Sequence, residues 1–299
     1  MTLYQNHSLA GCSTLKIGGI APYFAAIETE YEVKEIIETA RASSHRILCL
    51  GAGSNTLIGD LPDDALVLKI TGTNLQTDGT KMYAQAGTYL PALAKAALHY
   101  GLSGLEWAVN VPGTLGGSIV MNAGAFAEEI IDRLLYVRAM THNGEAVTLF
   151  HQDIEASHRW TNIDPSKYIV LGACLQLTAG DRERIGSLMR SFRDYRFRTQ
   201  PRGRTLGSTF KRHYDSKNQC WVSAGYYLDQ CQLKGFSVGG AKISEVHANF
   251  IMNSGSATWQ DVVTLIAHAR SCVQKCFGIL LELEIKLWVD THGGLFPLQ

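Results

Sequence analysis

Two glycine-rich stretches carry the clearest chemical signal in the sequence. The first, Gly51-Ala52-Gly53-Ser54-Asn55-Thr56, has few bulky side chains. Its backbone N–H groups can converge into a row of donors that suits a phosphate. It is not a Rossmann fingerprint, because Thr56 stands where the last glycine belongs, and no Gly-Lys-Ser/Thr follows to make a Walker loop. Alone, it reads equally well as an ordinary glycine turn. The second stretch, Pro112-Gly113-Thr114-Leu115-Gly116-Gly117-Ser118, runs into Met121-Asn122-Ala123-Gly124-Ala125. Its glycines imply a backbone that approaches something large, or else a tight packing turn. Two such loops, about 60 residues apart, could hold the two ends of a dinucleotide.

Other residues carry weaker signals. Ser208 follows Gly207 and by itself reads as a turn serine. Glu284 alternates with Leu283 and Ile285, as on the exposed face of an edge strand. Arg159 reads as a loop arginine. Lys211, with Arg202 and Arg204, makes either a positive pocket or a solvated basic loop. His247 either faces a substrate or is a satisfied structural histidine. Seven cysteines, at 12, 49, 174, 220, 231, 272 and 276, form no CxxC pair, so buried reduced thiols are expected. Cys272 and Cys276 are four apart on an expected helix, but no partner set completes a metal site, and none is expected.

Bulk properties narrow the class. Lys plus Arg and Asp plus Glu are both 27, so no global charge draws the chain to nucleic acid or to an anionic membrane. No apolar run approaches the ~18 residues of a membrane helix, and the first residues lack the basic n-region of a signal peptide. A cytoplasmic protein is expected.

The elements that must position these residues are legible in outline. Residues 30–42 have helical apolar spacing through Val33, Ile36, Ile37 and Ala40. A strand over Arg46–Leu50 feeds the first glycine loop, and another covers Ala65–Ile70. Strand-like runs at 82–86, 134–140, 146–149 and 168–177 predict a mainly antiparallel sheet. A helix from Pro91 to Tyr100 stops before Gly101. An arginine-rich helix lies within 181–204. A further helix starts at Thr258, which pairs with Asp261 as a cap, and ends at Gly278. A strand is expected over Leu280–Leu287.

Taken together, these stretches resemble the UDP-N-acetylenolpyruvoylglucosamine reductase family. The resemblance runs from Ser13-Thr14-Leu15-Lys16-Ile17-Gly18-Gly19 through both glycine stretches and Gly104-Leu105-Glu106. It continues through Gln200-Pro201, Gly207-Ser208-Thr209-Phe210-Lys211 and Leu233-Lys234-Gly235, then His247 to Asn253 and Leu281-Glu282-Leu283-Glu284. It implies an α+β fold of three domains: residues 1–65 and 66–190 form an FAD-binding unit of the vanillyl-alcohol-oxidase-like superfold, and 191–299 form an α/β substrate domain. It implies non-covalent FAD, NADPH as reductant, UDP-N-acetylglucosamine enolpyruvate as substrate, and a monomer. By the same resemblance Ser208 is the proton donor to C2 of the substrate, Glu284 its polar partner, and Arg159 the cation over the developing enolate. Cofactor contacts are expected from 51–56, from Pro112, Gly113, Thr114, Gly116, Gly117 and Ser118, and from Asn122, Gly124 and Val170. Substrate contacts are expected from Lys211, Arg212 and His247. The chain departs from the family pattern at Ala52, His158, Leu206 and Arg212. The 49 residues between Arg159 and Ser208 suit the shorter branch, which lacks an extra substrate-covering loop. The rival readings are an oxidase of the same superfold and a non-catalytic flavin-binding protein.

Overall fold

The computed structural model describes residues 2–216 and 218–289; the expected mobile tail, Thr291 to Gln299, lies outside them. The chain divides into two compact units, one made of Met1–His7, Pro22–Ala52 and Asp63–Arg196, the other of Ser8–Ala21, Gly53–Pro62 and Phe197–Gln299. Residues 8–21 and 53–62 thus fall with the C-terminal part of the chain. The reason is apolar: Leu15, Ile17 and Leu57 are buried in the core of the second unit.

The first unit contains two larger sheets among its described residues. In the smaller, strands run in the order Leu3–Ser8, Ile20–Ile27, Ala65–Ile70, Arg46–Leu50. Both pairings of Ala65–Ile70, with Ile20–Ile27 and with Arg46–Leu50, are parallel. Helix α1, Glu30–Ala42, supplies the crossover, and Val33, Ile36, Ile37 and Ala40 are its buried stripe, as their spacing requires. A capping box starts it: the Thr29 hydroxyl accepts from Glu32 N–H at 3.2 Å, and Glu32 accepts from Thr29 N–H at 3.1 Å. The larger sheet has the order Ala146–Phe150, Leu134–Thr141, Tyr168–Gln176, Lys81–Gln85, Leu75–Asp78. Every pairing in it is antiparallel. Against it pack α2, Leu90–Tyr100, and the six-residue α3, Leu115–Val120. Pro91 in the first turn of α2 and Gly101 at φ 68° mark its ends. Helix α4, Arg182–Thr199, closes this part of the chain.

The second unit is built on a four-stranded sheet ordered Thr205–Ser208, Phe250–Asn253, Ala241–Ile243, Ser237–Val238. A hairpin, His213–Asp215 with Cys220–Val222, leads into α5, Ala224–Gln230. Helix α6, Trp259–Phe277, buries Val262, Leu265, Ile266, Ala269 and Val273, and begins with the expected Thr258–Asp261 box. Each such Leu or Ile contributes roughly 1.5–3 kcal/mol on burial. The strand expected over Leu280–Leu287 is shorter than that. Only Lys286–Trp288 is regular, and it pairs in parallel with Thr56–Ile58, a strand the sequence did not reveal. Residues 280–285 instead bond irregularly, through one bridge between Phe210 and Leu283. Among the described residues, no helix is long and apolar enough to cross a membrane.

Candidate active site

In the first glycine loop two backbone carbonyls are used. Gly53 O accepts from Thr14 N–H at 3.0 Å, and Asn55 O accepts from Lys286 N–H at 2.8 Å. The N–H groups of Ala52, Gly53 and Asn55 donate to no partner among the described residues. That is the polarity an anion needs. Gly53 has φ 60°, and a Cβ there would strike the Cys12 carbonyl, so only glycine fits. Ala52 is not at positive φ, and its methyl is tolerated.

Gly51 brings the two glycine stretches together. A Cβ on it would lie 2.7 Å from Thr114 Oγ1 and 3.6 Å from Gly117 Cα. The second stretch is not a loop throughout. Pro112, Gly113 and Thr114 run alongside the start of α2, with Gly113 O accepting from Leu90 N–H at 2.9 Å and Thr114 bridged to Tyr89, and Leu115 then opens α3. A Cβ on Gly116 would lie 2.9 Å from Ala86 Cβ, so Gly116 is needed for close packing of α3. Gly117 has room around it, and its N–H has no partner among the described residues. The buried Thr88 hydroxyl, whose carbonyl accepts from Leu115 N–H at 2.8 Å, is also unpartnered. Within the first unit, the unpaired N–H groups of Ala52 and Gly117, the glycines at 51 and 117 and the orphaned Thr88 hydroxyl fit part of a bound dinucleotide. Ser118 is buried, its N–H donating to Thr114 O at 2.9 Å. Val170 lies in the sheet core.

Asn122 is fully buried, in the left-handed region at φ 41°. Its Nδ2 donates to Glu129 Oε2 at 2.6 Å and to Ser157 O at 3.1 Å. The side chain is therefore a tie between α3 and the hairpin Ala156–Ser157/Trp160–Thr161. Thr161 Oγ1 adds a second tie, donating to Val120 O at 3.1 Å. Arg159 stands at the turn of that hairpin with φ 60°, a costly conformation for a residue with a Cβ. Its Nη2 donates to Gly124 O at 3.2 Å. His158 Nδ1 lies 4.0 Å from Glu129 Oε1.

In the second unit Ser208 ends its strand after Gly207, which has φ 79°. The next residue, Thr209, offers its carbonyl to Glu284 N–H at 2.9 Å. Glu284 O in turn accepts from Asn55 Nδ2 at 3.1 Å. Ser208 and Glu284, 76 residues apart in sequence, are thus fixed on hydrogen-bonded neighbouring segments. No described residue holds the Ser208 hydroxyl. Asn249, buried, reinforces the arrangement: its Nδ2 donates to Phe210 O at 2.8 Å and its Oδ1 accepts from Phe210 N–H at 3.0 Å.

Lys211 lies on the same segment, with Nζ 3.3 Å from Glu282 Oε2. Arg212 stacks on Trp221, 4.6 Å from its ring centroid. His247 is turned inward against Gly225 and Phe250, and its Nδ1 accepts from Asn249 N–H at 3.2 Å. Burial, and then the Lys234 charge, push its pKa below the ordinary value.

A family model for the C-terminal domain of UDP-N-acetylenolpyruvoylglucosamine reductase matches residues 200–288, and an FAD binding domain matches 21–149. The reductase of Caldanaerobacter subterraneus subsp. tengcongensis is 36% identical over 291 residues, 95% of this chain and 93% of that relative. The reductase of a Synechococcus species is also 36% identical, over 93% of this chain and 89% of its own. The crystal structure of the enzyme from Thermus caldophilus superposes with a TM-score of 0.80 at 33% identity, covering 96% of this chain and 98% of that one. The chain belongs to the UDP-N-acetylenolpyruvoylglucosamine reductase family. Its fold is the expected α+β one, an FAD-binding unit of the vanillyl-alcohol-oxidase-like superfold with the reductase C-terminal domain.

Within this reductase, two cations escaped the sequence reading. Lys286 follows Glu284 by two residues, and both alternate with the buried Leu283, Ile285 and Leu287, a signal that was available. Desolvation of its ammonium and the charge of Lys211 push its pKa down, although much of the side chain reaches solvent. Arg196, half-buried in α4, is pushed down by burial and by the charge of Arg159. Nothing in the sequence marks it among the many arginines of 181–204.

Proposed function

We propose that Arg159, Ser208 and Glu284 carry the chemistry of an FAD-dependent oxidoreductase that reduces UDP-N-acetylglucosamine enolpyruvate to UDP-N-acetylmuramate in peptidoglycan precursor synthesis. The first two expected domains, 1–65 and 66–190, hold FAD non-covalently, through the stretches 51–56 and 112–118, with the N–H groups of Ala52 and Gly117 among the donors. The third, 191–299, holds the sugar nucleotide, with Lys211, Arg212 and Lys286 toward its diphosphate and His247 as a structural support. FAD, when bound, would supply the redox chemistry that links NADPH to C3 of the enolpyruvyl group.

The protein's own part is charge and proton management. Hydride addition at C3 moves negative charge onto the carboxylate side of the substrate. Arg159 offers a planar guanidinium fork to that carboxylate and stabilises the enolate. Ser208 donates a proton to C2. A serine is a weak acid, so its conjugate base needs a polar neighbour, and Glu284 fills that place. The observation that carries this reading is the hydrogen bond from Glu284 N–H to Thr209 O, 2.9 Å, which fixes the carboxylate segment beside the serine. A monomer in the cytoplasm is the proposed working form. The shorter-branch architecture implies a substrate site without an added covering loop.

The test is anaerobic. The flavoprotein is reduced with one equivalent of NADPH, the enolpyruvyl nucleotide is added, and flavin absorbance is followed. Rapid return of the oxidised band with a lactyl ether product is expected. A flavin that stays reduced would overturn the substrate and leave the oxidase reading standing.

A further inference from the structure

The strand Thr205–Ser208 does not keep an even register with Phe250–Asn253. Thr205 faces Met252 and Ser208 faces Phe250, so one extra residue is taken up between them, where Gly207 has φ 79°. Past Ser208 the regular ladder ends, and Asn249 continues it by other means. Its backbone O accepts from Thr209 N–H at 2.8 Å. Its side-chain amide then serves both backbone groups of Phe210: Oδ1 accepts from the N–H at 3.0 Å and Nδ2 donates to the O at 2.8 Å. An amide side chain carries a donor and an acceptor together, as a peptide group does. Asn249, Thr209 and Phe210 are all buried, so water is a poor substitute for these bonds. The groups of this segment that Asn249 leaves are taken by the chain around Glu284. Thr209 O accepts from Glu284 N–H at 2.9 Å, and Lys211 N–H donates to Glu282 O at 2.8 Å. Of the free thiols, Cys220 and Cys276 are exposed where burial was expected, and no group of three or more His, Cys, Asp or Glu among the described residues is arranged to hold a metal ion, so the arrangement rests on hydrogen bonds.

We propose that Asn249 is a positioning residue of the reductase reaction: by holding Phe210 at both backbone groups, it sets where the Ser208 hydroxyl and, through Thr209, the Glu284 carboxylate stand relative to each other. The inference rests on the reading of Ser208 as proton donor and Glu284 as its partner. The role is geometric, and no proton passes through the amide.

Loss of the amide leaves two buried backbone groups of Phe210 without partners, and the segment must shift to satisfy them. A displacement of about 1 Å at a reacting group costs on the order of 10²-fold in rate. Reduction of the flavin by NADPH uses neither Ser208 nor Glu284, so it is spared. His247 belongs to the same chain of bonds. Its Nδ1 accepts from Asn249 N–H at 3.2 Å, which places the ring proton on Nε2. Burial favours the neutral ring and so preserves that acceptor.

The full-length flavoprotein is compared with Asn249→Ala, Asn249→Asp, Ser208→Ala and the double variant Ser208→Ala/Asn249→Ala, with both half-reactions followed anaerobically by stopped flow. Asn249→Ala should slow reoxidation by saturating enolpyruvyl nucleotide by ~10²-fold and leave reduction by NADPH essentially unchanged. Added to Ser208→Ala it should cost at most about twofold more, because the group it positions is already gone. Asn249→Asp keeps the acceptor for Phe210 N–H but, when ionised, sets a carboxylate against Phe210 O. Burial raises the pKa of that carboxyl, and once protonated it can donate to Phe210 O again. Its reoxidation rate relative to wild type should therefore recover as pH falls. His247, which faces residue 249, titrates in both proteins, so the ratio at each pH is the quantity read. Full additivity with Ser208→Ala, equal loss in both half-reactions, or a ratio flat with pH would overturn the proposal. Where Asn249→Ala fails to fold, the nearly isosteric Asn249→Asp series decides. A wild-type flavin that the nucleotide does not reoxidise would instead sink the reductase reading, whereas a wild type that turns over beside unimpaired Asn249 variants sinks this inference alone.

Discussion

A serine hydroxyl held by no described residue, next to a segment clamped by Glu284, is suited to one proton transfer and little else. Ser208→Ala should leave reduction by NADPH essentially unchanged, because that half-reaction needs no proton at C2. Reoxidation by the enolpyruvyl nucleotide should slow by ~10²–10⁴, read by stopped-flow absorbance. Equal loss in both halves would show that the serine shapes the site rather than donating. Arg159 is held at φ 60° on a hairpin tied down by Asn122 and Thr161. Lysine at that turn keeps the charge and loses the planar fork. Arg159→Lys should therefore slow the same second half-reaction by ~10²–10³, the scale of one lost transition-state donor. Ser208, Glu284 and Arg159 were named through the family pattern, since each reads alone as a turn, edge or loop residue.

Individual elements show which glycines serve the fold and which the ligand. A Cβ at Gly117 would have only Thr114 Oγ1, at 3.6 Å, and Gly51 Cα, at 3.9 Å, as neighbours, and its φ is not positive. Gly117→Ala should melt close to the wild type in the apo form, yet bind FAD roughly tenfold more weakly, the cost of one spoiled hydrogen bond. Intact affinity would remove α3 from the cofactor site. Helix α6 offers a plainer test. Thr258→Ala removes the hydroxyl that accepts from Asp261 N–H at 3.1 Å, and should cost about 1 kcal/mol in urea unfolding. Caps and helical stripes such as those of α1 and α6 were legible because their signals lie within one or two turns. The segment 280–285 was not. Its alternation reads as a strand, but its hydrogen bonds go to Thr209 and Lys211, so tertiary pairing overrides the local pattern.

At the scale of the whole molecule, two half-buried histidines link stability to pH. His142 and His247 are both held below the ordinary value of 6.5, chiefly by burial. The unfolded chain takes up protons near 6.5 while the folded one resists, so their contribution is complete above that pH. It is lost as pH falls from there through the folded values. Thermal melts from neutral to mildly acidic pH should show Tm falling, and His247→Gln should flatten the slope. An unchanged slope would show that His247 charges freely in the fold.

By itself the sequence determined the helices α1, α2 and α6, the mainly antiparallel sheet, the two glycine stretches and the family. These rest on short-range periodicity, on caps, and on residue types in a fixed order. Only the tertiary structure decided that Gly51 meets Thr114 and Gly117, that Thr56–Ile58 pairs with Lys286–Trp288, and that Glu284 is bonded beside Ser208. Such pairings join residues tens to hundreds of positions apart. They are chosen by the burial of side chains such as Leu57, Phe210 and Leu283 in a common core, and no local pattern records which distant segment will supply the other half.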